Sequence, residues 1–489
     1  MGRVDIALIK PASQKHIYGE LGDFDLTAIE PSLWAALLAG YFRKHGYCVE
    51  LYDEEVEDWS HEETAKQIQN VNPWLAVVVV SGTNPSASTM NMTGASEIIR
   101  AIKELSPEIK TMLAGLHPSA LPERTVREEP ADFVCQGEGF FTIAKLVDVL
   151  KNKGNNYQID GLWYLQDGDV VSNPRPEMIQ NLDEIPQPAW DMLPMKKYRA
   201  HNWHCFDDIN KRSPYAVIYT SLGCPFNCSF CCINALFGKH TIRYRNADSV
   251  IDEIDFLVNN YGIRNIKIMD EMFAMNERRV IELCDKIIER KYDLNMWAYA
   301  RVNTVTRTML TKMKAAGINW LAYGFESGSK KVIEDVTKGY KIDQVQDVVK
   351  MSYDLGFYIC ANYIFGLPED DYDSMNETLE LMFDINAEYA NIYSAMAYPG
   401  SQLYEMAVKN NWKLPDSWHG YSQYGYESQP LPTKYLSGEQ VLAFRDSVFD
   451  AYYNNPKYLE MMNRKFGAET VAHIKEMTRH KLKRKYACL

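Results

Sequence analysis

The sequence predicts an α/β protein of several domains: a doubly wound (Rossmann-like) N-terminal domain, a partial barrel of six strand–helix units, and a mainly helical C-terminal region. Three observations predict it. Short apolar runs alternate with amphipathic helical segments from residue 5 to about residue 128, as a parallel sheet covered on both faces requires. The same beat resumes near residue 215 and repeats to residue 396. At 489 residues, with 46% hydrophobic side chains, the chain has material for about three domains of roughly 150 residues each.

Within residues 1–150, strand-like runs at 5–9, 49–52, 75–80 and 111–114 precede helical segments at 31–45, 62–70, 92–105 and 123–128. Doubly wound sheets bind ligands at the carboxyl ends of their strands, so the loops at 11–30, 81–88, 115–121 and 137–139 are expected on one rim. No G-x-G-x-x-G follows the first strand, which argues against a dinucleotide site. Residues 151–210 change character. Gln166-Asp167-Gly168-Asp169 between apolar runs reads as a hairpin, and Pro174, Pro176, Pro186, Pro188 and Pro194 mark an extended connector. In the next segment, 211–402, strands are expected near 215–220, 265–269, 295–300, 320–324, 358–365 and 391–396. Between them, helix 248–258 shows the pattern, with Asp248 able to cap and Ile251, Ile254, Leu257 and Val258 on one stripe. Residues 403–489 place Trp412, Trp418, His419, Tyr421, Tyr424 and Tyr426 ahead of helical segments that are expected to pack on or cap the barrel.

Cys224, Cys228 and Cys231 stand at C-x3-C-x2-C spacing directly after the run 215–220. Three thiolates on one loop can hold three irons of a 4Fe-4S cube and leave the fourth open for chemistry. Structural zinc or a closed cluster needs a fourth ligand, and no second nearby cysteine pair supplies it. Cys232 breaks the spacing and reads as a bystander. With Phe230 before the last thiol, the loop resembles that of the radical S-adenosylmethionine (SAM) enzymes. The resemblance implies that SAM chelates the open iron and is cleaved to a 5'-deoxyadenosyl radical. It also implies SAM contacts at the later strand ends: Asp270 and Glu271 for the ammonium, and Arg301, Glu326 and Ser327 for the carboxylate or ribose. Each of these also has an ordinary reading as a loop salt bridge or cap; their shared rim favours the site.

The N-terminal domain resembles the cobalamin-binding domain fused ahead of cobalamin-dependent radical SAM modules. The residues that carry this are Ala114-Gly115-Leu116-His117-Pro118, Leu121-Pro122-Glu123 and Cys135-Gln136-Gly137-Glu138-Gly139, followed by Pro188-Ala189-Trp190-Asp191 in the connector. It implies cobalamin contacts at Gly115, His117, Gly137, Glu138 and Gly139, and at Ser81 and Thr83 along the nucleotide tail. Where the better-known cobalamin fold has Asp-x-His-x-x-Gly, this chain has Gln14-Lys15-His16-Ile17-Tyr18-Gly19. His16 is therefore a candidate lower ligand of cobalt, although Gln14 lacks the carboxylate that raises imidazole basicity; the alternative is a loop histidine that packs nearby.

The resemblance, over residues 1–402, implies a methyltransferase at an unactivated carbon, using a deoxyadenosyl radical and methylcobalamin. Two alternatives stay open: a non-methylating cyclase, rearrangement or oxidation enzyme with the same cofactors, and a cobalamin-binding sensor. A net charge of −13 argues against general nucleic-acid binding; the exception, a basic tail at Lys475, Arg479, Lys481, Lys483, Arg484 and Lys485, reads as a solvated helix end in preference to a contact for an anionic substrate, lipid headgroup or partner. A start without a signal-peptide pattern and the lack of a membrane-length apolar run predict the cytoplasm. The cluster chemistry implies a flavodoxin- or ferredoxin-type electron donor. The substrate is expected to be a small molecule, a lipid or a sugar.

Overall fold

The computed structural model describes residues 3–19, 27–82 and 84–486, so Thr83 lies outside the described residues. Strands β1 (Ile6–Lys10), β2 (Val49–Asp53), β3 (Leu75–Val80), β4 (Lys110–Gly115) and β5 (Phe133–Cys135) pair in parallel in the order β2-β1-β3-β4-β5. The central strand explains why the sheet is covered twice. Leu75, Val77 and Val79 pack with helices Leu33–Lys44 and Phe140–Lys151, whereas Ala76, Val78 and Val80 pack with Ile68 and helix Met92–Leu105. A strand buried on both faces reads as an unbroken apolar run, and Leu-Ala-Val-Val-Val-Val is one.

Sequence alternation did not show β5, which is only three residues long. The hairpin expected in the connector, β6 (Leu162–Gln166) and β7 (Asp169–Ser172), pairs antiparallel to β5 and extends the first sheet to seven strands.

The second sheet is a parallel six-stranded half-barrel whose strand order follows the chain: β8 (Tyr215–Ile218), β11 (Asn265–Ile268), β12 (Asn295–Ala300), β13 (Ile318–Glu326), β14 (Tyr358–Phe365) and β15 (Tyr389–Ser394). A two-residue ladder between β9 (Ser221–Leu222) and β10 (Arg243–Tyr244) ties together the two ends of the cysteine loop. Helix Ala247–Tyr261 is capped by Asn246, whose side chain accepts from the Asp248 amide at 2.9 Å. Asp248, expected as the cap, instead sits in the first turn and pairs with Lys286 at 2.6 Å.

A partial barrel leaves an open edge at β15, and unpaired edge amides and carbonyls need partners. The C-terminal region supplies them. Tyr453 Oη accepts from Ala390 N, Arg445 donates to the Ile392 carbonyl at 2.7 Å, and the Gln423 amide bonds both Ser394 N and Ser394 O. Helix Gly438–Tyr453 therefore docks along the edge with its polar atoms on the backbone. The basic tail is drawn into the same surface, where Arg484 bonds Asp446 and the carbonyls of Gln423 and Gly425. No helix among the described residues is long and apolar enough to cross a membrane.

Candidate functional site

A cavity of about 580 Å³ opens where the carboxyl end of the first sheet faces the half-barrel. Its wall includes all three loop cysteines, Cys224, Cys228 and Cys231, together with Ser81, Gly82 and Gly115 from the ends of β3 and β4. The two rims inferred separately from sequence thus enclose one space.

The cysteine loop is set by the backbone at each end. Gly223 has φ +92°, and a Cβ there would lie 2.4 Å from the Thr241 carbonyl, so the turn into Cys224 needs glycine. Cys231 N bonds Cys228 O at 3.1 Å, and Ser229 N bonds Val336 O at 3.2 Å. Burial pushes Cys224 up to about 11 and Cys231 up to about 12, so both are neutral thiols until a metal displaces their protons. Cys228 Sγ accepts from Arg301 Nη1 at 3.5 Å, and the guanidinium lies 3.7 Å over the Phe226 ring. Three thiols on one cavity wall, one already facing a cation, suit the anionic sulfur ligation of an iron–sulfur cube. Among the described residues no three His, Cys, Asp or Glu side chains gather closely enough to hold a single metal ion.

The two adjacent carboxylates after β11 separate in role. Asp270 is fully buried and accepts from Thr220 N at 2.6 Å, Thr220 Oγ1 at 2.5 Å and Ser221 Oγ at 2.6 Å. With both oxygens occupied, it fixes the strand end that launches the cysteine loop and does not line the cavity. Glu271 does line it, accepting from Gly223 N at 2.9 Å. Burial, with the neighbouring Asp270 charge, pushes Glu271 up to about 8. Its carboxyl is therefore poised to ionise when a cation arrives.

At the end of β13, Glu326 lines the cavity and forms an ion pair with Lys338, whereas Ser327 just after it is fully buried. Ser327 Oγ bonds Thr378 Oγ1 at 3.0 Å and accepts from Ser329 N at 3.1 Å, which pins the turn against helix Tyr372–Ile385.

The corrin-facing candidates divide likewise. At Gly115, φ is +125° and a Cβ would lie 2.2 Å from the Val80 carbonyl; at Gly82 a Cβ would lie 1.9 Å from Ala87 O. Both positions must stay bare, and together they make a side-chain-free rim that fits a broad, flat ligand such as a corrin. Ser81 shares that rim. His117 lies behind it, 1% exposed, with Nδ1 on Thr89 Oγ1 at 3.1 Å and its ring edge-on to Trp418 at 4.6 Å. Burial pushes it down to about 3, so it is a neutral packing histidine.

Gly137, Glu138 and Gly139 lie away from the cavity. They border a small crevice with Arg175 and Pro176, and Glu138 pairs with Arg243 of β10. The segment joins the two modules and does not line the cavity. His16 also faces elsewhere: Nε2 is 3.0 Å from Glu97 Oε2, and the ring stacks on His419 at 5.7 Å. Helix Gln14–Tyr18 turns Gln14, Ile17 and Tyr18 to the cavity and His16 away from it.

Sequence reasoning missed Lys267, Glu30, Lys338 and the inward tyrosines. Lys267 pairs with Glu30 at 3.0 Å inside the barrel, where Glu30 arrives from the N-terminal module and also accepts from Tyr215 Oη at 3.1 Å. A lysine inside the apolar run Asn265–Ile268 was the available signal. The hydroxyls of Tyr219, Tyr299 and Tyr393 line the cavity without a protein hydrogen bond among the described residues, and burial raises their pKa values, so they stay protonated donors.

Comparison with known proteins agrees with this geometry. Residues 218–382 match the model of the Radical SAM superfamily, and residues 25–147 match that of the B12 binding domain. An uncharacterized methyltransferase of Pyrococcus horikoshii is 31% identical over 458 residues, 93% of each chain. The anaerobic magnesium-protoporphyrin IX monomethyl ester cyclase of Rubrivivax gelatinosus is 26% identical over 392 residues, 78% of this chain and 67% of its own. The radical SAM methyltransferase TsrM of Kitasatospora setae, solved with tryptophan substrate and a SAM analogue, superposes with a TM-score of 0.70 at 17% identity over 98% of this chain and 99% of its own.

Proposed function

We propose, from the premise that this chain belongs to the cobalamin-dependent radical SAM family, that it transfers a methyl group to an unactivated carbon of a small-molecule substrate. The observation that carries the reading is the single cavity walled by both the cysteine loop and the bare rim of β3 and β4. When bound there, the cluster with SAM supplies a 5'-deoxyadenosyl radical and cobalamin supplies the methyl group.

The chain's own residues would then bind, orient and exclude water. Cys224, Cys228 and Cys231 would hold three irons. Glu271 would take the SAM ammonium and Arg301 its carboxylate, since this carboxyl and guanidinium both flank the cysteine loop. Glu326 suits the ribose hydroxyls as an acceptor. Ser81, Gly82 and Gly115 would lie along the corrin. Tyr219, Tyr299 and Tyr393 leave hydroxyl donors for the substrate on the cavity wall. The oxygen-labile cluster calls for a flavodoxin- or ferredoxin-type donor and a cytoplasmic setting.

The methyltransferase of P. horikoshii, as the more similar of the two relatives, supports methyl transfer; the cyclase relative supports the alternative of a non-methylating enzyme. The test is anaerobic incubation of reconstituted protein with SAM and reductant. Release of both 5'-deoxyadenosine and S-adenosylhomocysteine supports methyl transfer. Deoxyadenosine alone favours the cyclase-type reading, and neither product from protein with an intact cluster overturns the enzyme reading.

A further inference from the structure

The residues at 336–340, Val-Thr-Lys-Gly-Tyr, cross the site as a strap that the sequence did not mark. Val336 O accepts from Ser229 N, between the second and third cysteines, at 3.2 Å. Gly339 O accepts from Asn303 Nδ2 at 2.9 Å, and Asn303 in turn accepts from Arg301 Nε at 3.3 Å. Tyr340 Oη donates to the Phe325 carbonyl, and Lys338 Nζ pairs with Glu326 Oε1. One five-residue segment therefore touches the cysteine loop, the end of β12 and the end of β13.

Three further details centre on the lysine. Glu326 has φ +61° and Thr337 φ +57°, a left-handed backbone that residues other than glycine, asparagine and aspartate seldom hold. A Cβ at Gly324 would lie 2.3 Å from Glu326 Oε1 and 2.8 Å from Lys338 Nζ, so the pair occupies space that any side chain there would fill. Glu326 Oε2 has no hydrogen-bond partner among the described residues, and both Glu326 and Lys338 line the cavity, 6% and 7% exposed.

We propose that Lys338 is a positioning residue of the SAM site: by binding one oxygen of Glu326 it holds that carboxylate in place and turns the other oxygen toward the cavity, as an acceptor for the ribose hydroxyls of SAM. The inference rests on the reading that SAM lies beside the three thiols. A carboxylate held on one side by an ammonium loses less freedom on binding a diol, so the pair is preorganised.

The test uses full-length, cluster-reconstituted protein, with iron content as the control for folding of the cysteine loop. SAM affinity is read by equilibrium dialysis and by the change SAM produces in the EPR spectrum of the reduced cluster. Lys338→Met should retain its iron but bind SAM roughly tenfold or more weakly, and Lys338→Arg should restore most of the affinity. In a Glu326→Gln background, Lys338→Met should cause little further loss, because the lysine acts through the carboxylate. Wild-type affinity in Lys338→Met, an equal loss in both backgrounds, or loss of iron from Lys338→Met would each overturn the inference. Wild-type protein that carries its cluster yet shows no SAM response would instead sink the underlying reading of the site.

Discussion

Arg243 Nη2 donates to Glu138 Oε1 at 2.6 Å, and both side chains are 6% exposed. Glu138 Oε2 also accepts from Ile179 N at 3.0 Å, so one buried carboxylate binds the connector and β10 to the end of the first sheet. Since β10 closes the cysteine loop, this ion pair fixes where that loop stands relative to the first sheet.

Breaking one partner of a buried pair leaves the other charge stranded, at a cost of about 3–5 kcal/mol. Arg243→Met is therefore expected to lower the unfolding midpoint markedly in denaturant titration, and Glu138→Gln to do the same by a smaller amount because a hydrogen-bonding group remains. A surface pair such as Arg127 with Glu123, about half exposed, should shift the midpoint little when broken.

Asp270 and Glu271, adjacent in sequence, should fail differently. Asp270→Asn places an amide among three donors and should destabilise the protein, with iron retention reduced because Thr220 and Ser221 lead into the cysteine loop. Glu271→Gln should fold and hold iron but bind SAM more weakly. Iron content and SAM dialysis on the two variants separate a fastening carboxylate from a binding one.

Glu271 gives the site a pH signature. Ligand-free, its carboxyl stays protonated to about pH 8 because of burial, whereas its ordinary value is 4.5. Between those values the folded chain holds a proton that the unfolded chain has lost, so this group's contribution to stability falls as pH rises. An ammonium ligand favours the charged form, so SAM binding releases the proton and affinity climbs as pH approaches about 8, above which loss of the ligand's own ammonium proton reverses the climb. Dialysis across this range should show that climb in the wild type and its loss in Glu271→Gln.

His16 bonds Glu97 and stacks on His419, away from the cavity. The visible and EPR spectra of protein-bound cob(II)alamin should therefore be the same in His16→Ala as in the wild type. Loss of nitrogen hyperfine structure in the variant would make His16 a cobalt ligand after all.

These results show where local pattern suffices. The cysteine triplet and the strand ends were legible because thiol spacing and apolar alternation are short-range, and a parallel sheet gathers its strand ends on one rim. What stayed hidden depends on segments far apart in sequence. Nothing near Glu138 announces Arg243, 105 residues away. Asp270 and Glu271 look alike until the backbone shows which one faces Thr220. The tail Arg484 reads as solvated charge, yet Asp446 and two carbonyls bury it. Lys338 has the look of any exposed helix-end lysine, and only the folded strap brings it to Glu326.

The cysteine loop and the bare rim of β3 and β4 open on one cavity, so a cluster and a cobalamin held there would stand close together, and a spin measurement tests this most directly. In protein loaded with cob(II)alamin and the reduced cluster, the cobalt EPR signal should saturate at clearly higher microwave power than in Cys228→Ala protein, which lacks an intact cluster, because a nearby paramagnet speeds its relaxation. Identical saturation in the two samples, with cobalt and iron contents verified, would place the cofactors too far apart to share the cavity and would contradict the account.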